Sequence, residues 1–240
     1  MQLSGKKVLL TGASRGIGAA TAMELAARGA HAILTGRNTD ALAELEARIV
    51  ANGGKVDVIT ADLASADGVA ELVGKVTGIT DTLDIAIINA AFAPARIGVP
   101  DIDPEELATA MAVNVLATQS LIAALHPLLG NSPRGVMIGM TSAAAQGIYP
   151  GFAAYSASKA AFDVILHTYA VENGADSSIR TALIAPGPTR TEMRAEGFPD
   201  EDPMTVKPAE FVANAILDFA ESDFANDTYL DVQQLYAAQQ

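Results

Sequence analysis

Tyr155 and Lys159 stand four residues apart in the run Tyr155-Ser156-Ala157-Ser158-Lys159. The run lies near the start of a stretch that reads as a helix, so the two side chains share one face. A free phenol has a pKa of about 10 and transfers protons poorly near neutrality. An ammonium one turn away favours the phenolate and brings the group toward its working range. The same spacing also suits an ordinary aromatic–lysine pair packing its stem, so the pair alone decides nothing. Thirteen residues upstream, Ser142 closes a strand-like run at its carboxyl end. A hydroxyl there can donate to a reacting oxygen while the tyrosine moves the proton.

A second constellation is Thr11-Gly12-Ala13-Ser14-Arg15-Gly16-Ile17-Gly18, which leaves one strand-like run and opens a helix. Glycines let the backbone turn sharply and approach a diphosphate without an obstructing Cβ, and the helix N-terminus adds free N–H groups and the positive end of its dipole. A glycine-rich turn without a ligand is the plain alternative. The strand before the loop and the helix after it favour a dinucleotide. At the end of the next strand the segment reads Leu34-Thr35-Gly36-Arg37-Asn38. No carboxylate stands where an acid would bind a ribose 2′-hydroxyl, while Arg37 offers a planar fork for a 2′-phosphate and Arg15 could reach the same group. The spacing therefore favours NADP(H) over NAD(H), with a solvated surface arginine as the plain reading of Arg37.

These residues need elements to hold them, and the pattern supplies them. Strands are expected at Lys7–Thr11, His31–Thr35, Val56–Thr60, Leu83–Ile88, Gly135–Met140, Arg180–Ala185 and Thr228–Val232. Helices are expected at Ile17–Arg28, Thr39–Asn52, Ala66–Thr77, Pro104–Leu125, Ala153–Asn173 and Pro208–Glu221. Asp103, Pro104, Glu105 and Glu106 signpost the start of the fourth helix. Short apolar strands alternating with long helices imply right-handed crossovers and a doubly wound parallel sheet, an α/β/α sandwich of Rossmann type, as one domain over residues 1–240. The Pro-rich segment 186–208 reads as a loop beyond a strand's carboxyl end, placed to cover a ligand.

Composition narrows the function further. The 240 residues include no cysteine, which excludes disulfides and thiolate metal sites. A net charge of −13 argues against a nucleic-acid surface. No apolar run reaches the length of a membrane span and no signal peptide is legible, so a cytoplasmic setting is expected. His31, His126 and His167 have no metal-ligand spacing, and no metal is expected. The acids Glu192, Glu196, Asp200, Glu201 and Asp202 read as a solvated face.

Taken together, Thr11–Gly18, Asp62-Leu63, Asn89-Ala90-Ala91, Asn114, Ser142, Tyr155 with Lys159, and Pro186-Gly187 followed by Thr191 make the chain similar to the short-chain dehydrogenase/reductase family from Lys6 to about Glu221. The resemblance implies a catalytic set of Asn114, Ser142, Tyr155 and Lys159. Tyr155 is then the general acid/base, Lys159 lowers its pKa and holds the nicotinamide ribose, Ser142 polarises the carbonyl, and Asn114 holds a water linking Lys159 to solvent. It also implies cofactor contacts from Gly12, Ser14, Arg15, Gly16, Ile17, Gly18, Arg37 and Asn38, with Asp62 and Leu63 at the adenine. Asn89, Ala90 and Ala91 lie by the glycine loop, and Pro186, Gly187, Thr189 and Thr191 at the nicotinamide. The sequence departs from the family pattern at Ala91, at Thr189 and in its ending, Asp227-Thr228-Tyr229-Leu230-Asp231-Val232-Gln233.

The expected reaction is interconversion of a small free ketone or aldehyde and a secondary alcohol. Ala144, Gln146, Tyr149 and Met193 are the expected substrate contacts, within an apolar pocket that also draws on Phe92 and Ile148. Two alternatives are a 3-oxoacyl-carrier-protein reductase, disfavoured by the acidic charge of both partners, and a protein that binds the dinucleotide only to sense it. The helices Pro104–Leu125 and Ala153–Asn173 resemble a family dimer interface. Ala108, Ala112, Leu116 and Ala117 on one, and Ala160, Phe162, Val164, Leu166 and Tyr169 on the other, are the expected contacts of a homodimer or homotetramer.

Overall fold

The computed structural model describes residues 1–174 and 177–239, so the expected domain is covered except for 175, 176 and 240. Seven parallel strands form one sheet: β1 (Lys7–Thr11), β2 (His31–Gly36), β3 (Lys55–Thr60), β4 (Ile85–Ile88), β5 (Gly135–Met140), β6 (Ile179–Ala185) and β9 (Thr228–Asp231). Their order is β3-β2-β1-β4-β5-β6-β9, and every pairing is parallel. The two-residue side-chain period of a strand sorts the core into two layers. Val8 and Leu10 of β1, with Ile85 and Ile87 of β4, face α1 (Gly16–Ala27), α2 (Thr39–Ala51) and α8 (Ala209–Glu221). Leu9, Ala86 and Ile88 face the other way, onto α3 (Ala66–Ile79), α5 (Ala117–Gly130) and α6 (Ala153–Asn173). Both faces are covered, which is why the inner strands read as unbroken apolar runs.

The expected helix Pro104–Leu125 is longer and is interrupted. α4 (Pro104–Met111) passes through one wide π turn, Ala112–Leu116, before α5 carries on to Gly130 with Pro127 inside it. As expected, Asp103 caps α4 by accepting from the Glu105 amide at 2.9 Å. Pro104–Gly130 is long and apolar enough to cross a membrane by length and composition alone. In this fold it is a core helix, burying Leu121, Leu125 and Leu129 against the sheet. Of the expected dimer contacts, Ala117, Phe162, Leu166 and Tyr169 are buried within the chain itself. Leu116 and Val164 remain outside, 64% and 65% exposed.

The segment 186–208 is structured rather than a bare loop. β7 (Thr189–Arg190) pairs with β8 (Lys207–Pro208), and between them lies α7 (Glu192–Gly197), capped by the Thr191 hydroxyl. The final strand ends at Asp231, whose carboxylate caps a short helix, α9 (Val232–Ala237), that the sequence pattern does not reveal.

Candidate active site

The sheet order reverses between β1, whose chain runs on to β2, and β4 on its other side. Ligands of open parallel sheets bind beyond the strand ends at such a point. A cavity of about 550 Å³ opens there, running from Arg37 past the glycine loop to Tyr155 and Lys159. Its floor is held by Asn89 and Thr11. The Asn89 amide donates to the Thr11 and Gly12 carbonyls at 3.0 and 3.1 Å, and the Thr11 hydroxyl accepts from the Asn89 and Ala90 amides at 3.0 Å each. Gly12 has φ +67°, and a Cβ there would stand 2.8 Å from the Ala90 Cα. No side chain caps α1, so its first N–H groups remain for a phosphate. Glycine cradle and free helix end together fit a diphosphate.

At the other end α6 carries the reacting groups. Ser142, two residues past β5, caps a short turn by accepting from the Ala144 amide at 3.2 Å, and it also bonds the Tyr155 hydroxyl. Lys159 is buried and donates from Nζ to the Met140 carbonyl at 2.7 Å. The expectation for Tyr155 joins Lys159 with a positively charged nicotinamide; the chain's own groups, without the cofactor, act in the other direction. Burial pushes Tyr155 up to about 12 despite the Ser142 bond, and the negative charge of Asp163 adds to the rise. Burial likewise brings Lys159 down to about 8, with Asp163 opposing it. Asp163, one turn beyond Lys159, accepts from the Thr141 hydroxyl, is 7% exposed, and has its own pKa raised by burial. The chain's own groups thus hold Tyr155 protonated at neutral pH.

Residues 6–202 match the family model for short chain dehydrogenases. An uncharacterized oxidoreductase, YciK, of Escherichia coli is 33% identical over 88% of this chain and 84% of its own length. A glucose 1-dehydrogenase of Gluconobacter oxydans is 33% identical over 98% and 91%. Two solved structures are similar throughout. A short chain dehydrogenase of Shigella flexneri in complex with NADP has a TM-score of 0.91 and 30% identity, covering 97% of this chain and 99% of its own. One from Escherichia coli CFT073 in complex with NADPH has a TM-score of 0.91 and 31% identity, covering 97% and 98%. The chain belongs to the short-chain dehydrogenase/reductase family. It is therefore an oxidoreductase with a Rossmann-type fold, in a family that binds a nicotinamide dinucleotide.

The cavity of this short-chain dehydrogenase gathers most of the residues expected from its sequence. Gly12, Ser14, Arg15, Gly16, Ile17 and Gly18 line it on one side. Arg37, Asn38, Asp62 and Leu63 line the far end, and Asn89, Ala90, Ala91, Pro186, Thr191 and Met193 complete the wall by Tyr155. Several of them are committed elsewhere. Asn38 caps α2 by accepting from the Ala41 amide at 3.0 Å, and Asp62 accepts from the Ala64 amide at 3.0 Å. Arg15 turns toward α7, where Glu192 and Glu196, one turn apart, bind its guanidinium at 2.9 and 3.1 Å. Two of the acids read as a solvated face are therefore a latch between lid and glycine loop. The latch is exposed and so worth little on its own.

Other expected residues stand behind the wall. Gly187 and Thr189 lie outside the lining, with the Thr189 hydroxyl donating to the Gly187 carbonyl at 2.9 Å. Asn114 is fully buried. Its Oδ1 accepts from the Phe92 amide at 2.8 Å, and its Nδ2 donates to the Phe92 carbonyl and the Ser158 hydroxyl at 2.9 Å each. These bonds tie the loop after β4 to α6. Ala144, Gln146 and Tyr149 do not line the cavity; Ala144 is buried, Gln146 and Tyr149 are exposed, and Ile148 projects fully into solvent. Asp163 was missed by the sequence reading. For Asp163 the available signal was its spacing, one further turn along the face of Tyr155 and Lys159.

Proposed function

We propose that the chain is an NADP(H)-dependent carbonyl reductase, acting on a small free ketone or aldehyde, with Tyr155 as general acid. The observation that carries the reading is the pair Tyr155 and Lys159 at one end of a cavity, with Ser142 beside Tyr155 just behind the wall, and the glycine loop and Arg37 bordering the other end. The cofactor, when bound, supplies the hydride. Ser142 holds the substrate oxygen and Tyr155 gives it a proton. A protonated tyrosine is in the form that donates, as the general acid of a carbonyl reduction must. Lys159, near 8 and bonded to the Met140 carbonyl, keeps a further proton close to Tyr155 at neutral pH.

Arg37 supports the choice of NADP(H). It lies exposed on the cavity rim with no carboxylate partner among the described residues, while Arg15 reaches a phosphate only by leaving Glu192 and Glu196. The relatives solved with NADP and NADPH point the same way. Phe92, Val113, Met140 and Met193 give the wall near Tyr155 an apolar character suited to an uncharged substrate. The test is oxidation of NADPH and of NADH with a panel of small ketones, diketones and aldehydes, wild type against Tyr155→Phe. Turnover with NADPH that is lost in the variant supports the reading. Binding of NADPH with no turnover on any carbonyl, in either direction, would replace it with a sensing role.

A further inference from the structure

Two lysines are buried among the described residues, Lys159 and Lys207. The first belongs to the catalytic row. The second lies on the far side of the loop that follows β6, and the chemistry above gives it nothing to do. β8 brings it there, because Lys207 pairs with Thr189 and Pro208 with Arg190. Its ammonium donates to the Pro188 carbonyl at 2.9 Å and to the side-chain oxygen of Gln233 on α9. The Tyr236 ring, also on α9, has its centroid 5.8 Å away. Asp231 supplies a favourable charge and Arg194 an opposing one, while burial holds the group down to about 8.

The contact is tight on every side. Gly187 has φ +66°, and a Cβ there would stand 2.8 Å from the Gln233 Cβ and 3.0 Å from the Lys207 Nζ. Burying an ammonium is costly unless it is hydrogen-bonded, and an apolar side chain would fill the same space more cheaply. What the lysine adds is direction, because it joins the Pro188 carbonyl to one side chain of the C-terminal helix. The segment so held is bounded by Pro186 and Thr191, both of which line the cavity beside Tyr155.

We propose that Lys207, with Gln233 as its second acceptor, is a positioning residue that fixes the loop Pro186–Thr191 against α9 and so determines how tightly the nicotinamide end of the cofactor is held. The inference rests on the NADP(H) reading. On this view the C-terminal helix, remote in sequence from every motif, tunes the reactive end of the site and leaves the adenosine end untouched.

The experiment titrates the full chain calorimetrically with NADPH and with 2′-phospho-ADP-ribose, which keeps the adenosine end and lacks nicotinamide. Lys207→Met is expected to weaken NADPH about tenfold, the worth of one hydrogen bond to a charged group, and to leave the fragment within about twofold. Gln233→Leu, at an exposed position, is expected to move NADPH about threefold in the same direction, again sparing the fragment. Lys207→Arg should recover part of the loss. Equal losses for both ligands, or NADPH affinity unchanged in both variants, overturns the clamp and leaves the cofactor reading standing. If Lys207→Met does not fold, Gln233→Leu decides: an unchanged ratio of the two affinities overturns the proposal. Wild-type protein that binds neither ligand overturns the cofactor reading and the clamp with it.

Discussion

Tyr155 is the residue on which the chemistry turns, and removing its hydroxyl leaves the cofactor cradle intact. Tyr155→Phe is expected to lower kcat by about a hundredfold or more while NADPH affinity stays within about twofold. A variant with wild-type turnover would remove Tyr155 from the mechanism. Arg37 works at the opposite end. Arg37→Ala is expected to weaken NADPH about tenfold or more and NADH hardly at all, because only NADPH carries the phosphate it would pair. Arg15→Ala is expected to cost less, since Glu192 and Glu196 already hold that guanidinium. Affinity titrations with both cofactors check this, and equal losses for NADPH and NADH in Arg37→Ala would contradict it. At this scale the identity of the site was legible because Tyr155 and Lys159 are close in sequence and the glycines sit on a strand–helix junction. What was not legible is where each charge is spent. Lys159 turns to the carbonyl of Met140, Arg15 to acids far along the chain, and Asp163 to the hydroxyl of Thr141. Those pairings depend on which strand lies beside which helix.

The strands and long helices could be read from apolar periodicity alone, and their ends move by only a few residues between expectation and structure. The pieces that escaped are shorter than the period that would reveal them. β7 and β8 are two residues each, and α7 and α9 six each, so prolines or charges dominate their appearance. The π turn at Ala112–Leu116 escaped for another reason: its apolar residues continue the pattern of the flanking helix, and one wide turn leaves no compositional mark. It places the fully buried Asn114 where it can bond both backbone groups of Phe92 and the Ser158 hydroxyl. Asn114→Ala leaves both backbone groups of Phe92 without this partner, while the Ser158 hydroxyl keeps its bond to the Tyr155 carbonyl. Two unsatisfied buried groups cost on the order of 2 kcal/mol or more, so the urea midpoint should fall clearly. Loss of stability together with reduced kcat is expected, because the same bonds join the loop carrying Phe92 to the helix carrying Tyr155. Unchanged stability would mean that this tie contributes nothing.

Across the whole molecule, the two buried lysines give stability an alkaline signature. Lys207 sits at about 8 in the folded chain against an ordinary 10.5, so between those values the unfolded chain binds more protons and stability rises with pH. Lys159 adds the same trend. Tyr155, near 12 against an ordinary 10, keeps a proton that the unfolded chain loses, which reverses the trend above about pH 10. Urea unfolding of wild type beside Lys207→Met should therefore show their stability difference shifting in favour of wild type from pH 8 to 10. A flat difference would contradict the assignment. Assembly is the other property of the whole. The sequence suggested a helical interface but not which side chains were free for it, since apolar content does not separate an inward face from an outward one. In the fold, Leu116, Val164 and Val171 stay 64%, 65% and 71% exposed on these helices, which leaves them free for the expected interface. A second copy of the chain meeting this face about a two-fold axis would cover them on both subunits at once. Light scattering at micromolar concentration should then give about twice the chain mass of 24.7 kDa. Val164→Glu brings like charges together near the axis at a position that plays no part in the internal core. It should give a folded monomer with an unchanged circular dichroism spectrum. A wild-type monomer would refute the interface, and a Val164→Glu dimer would place it on another face.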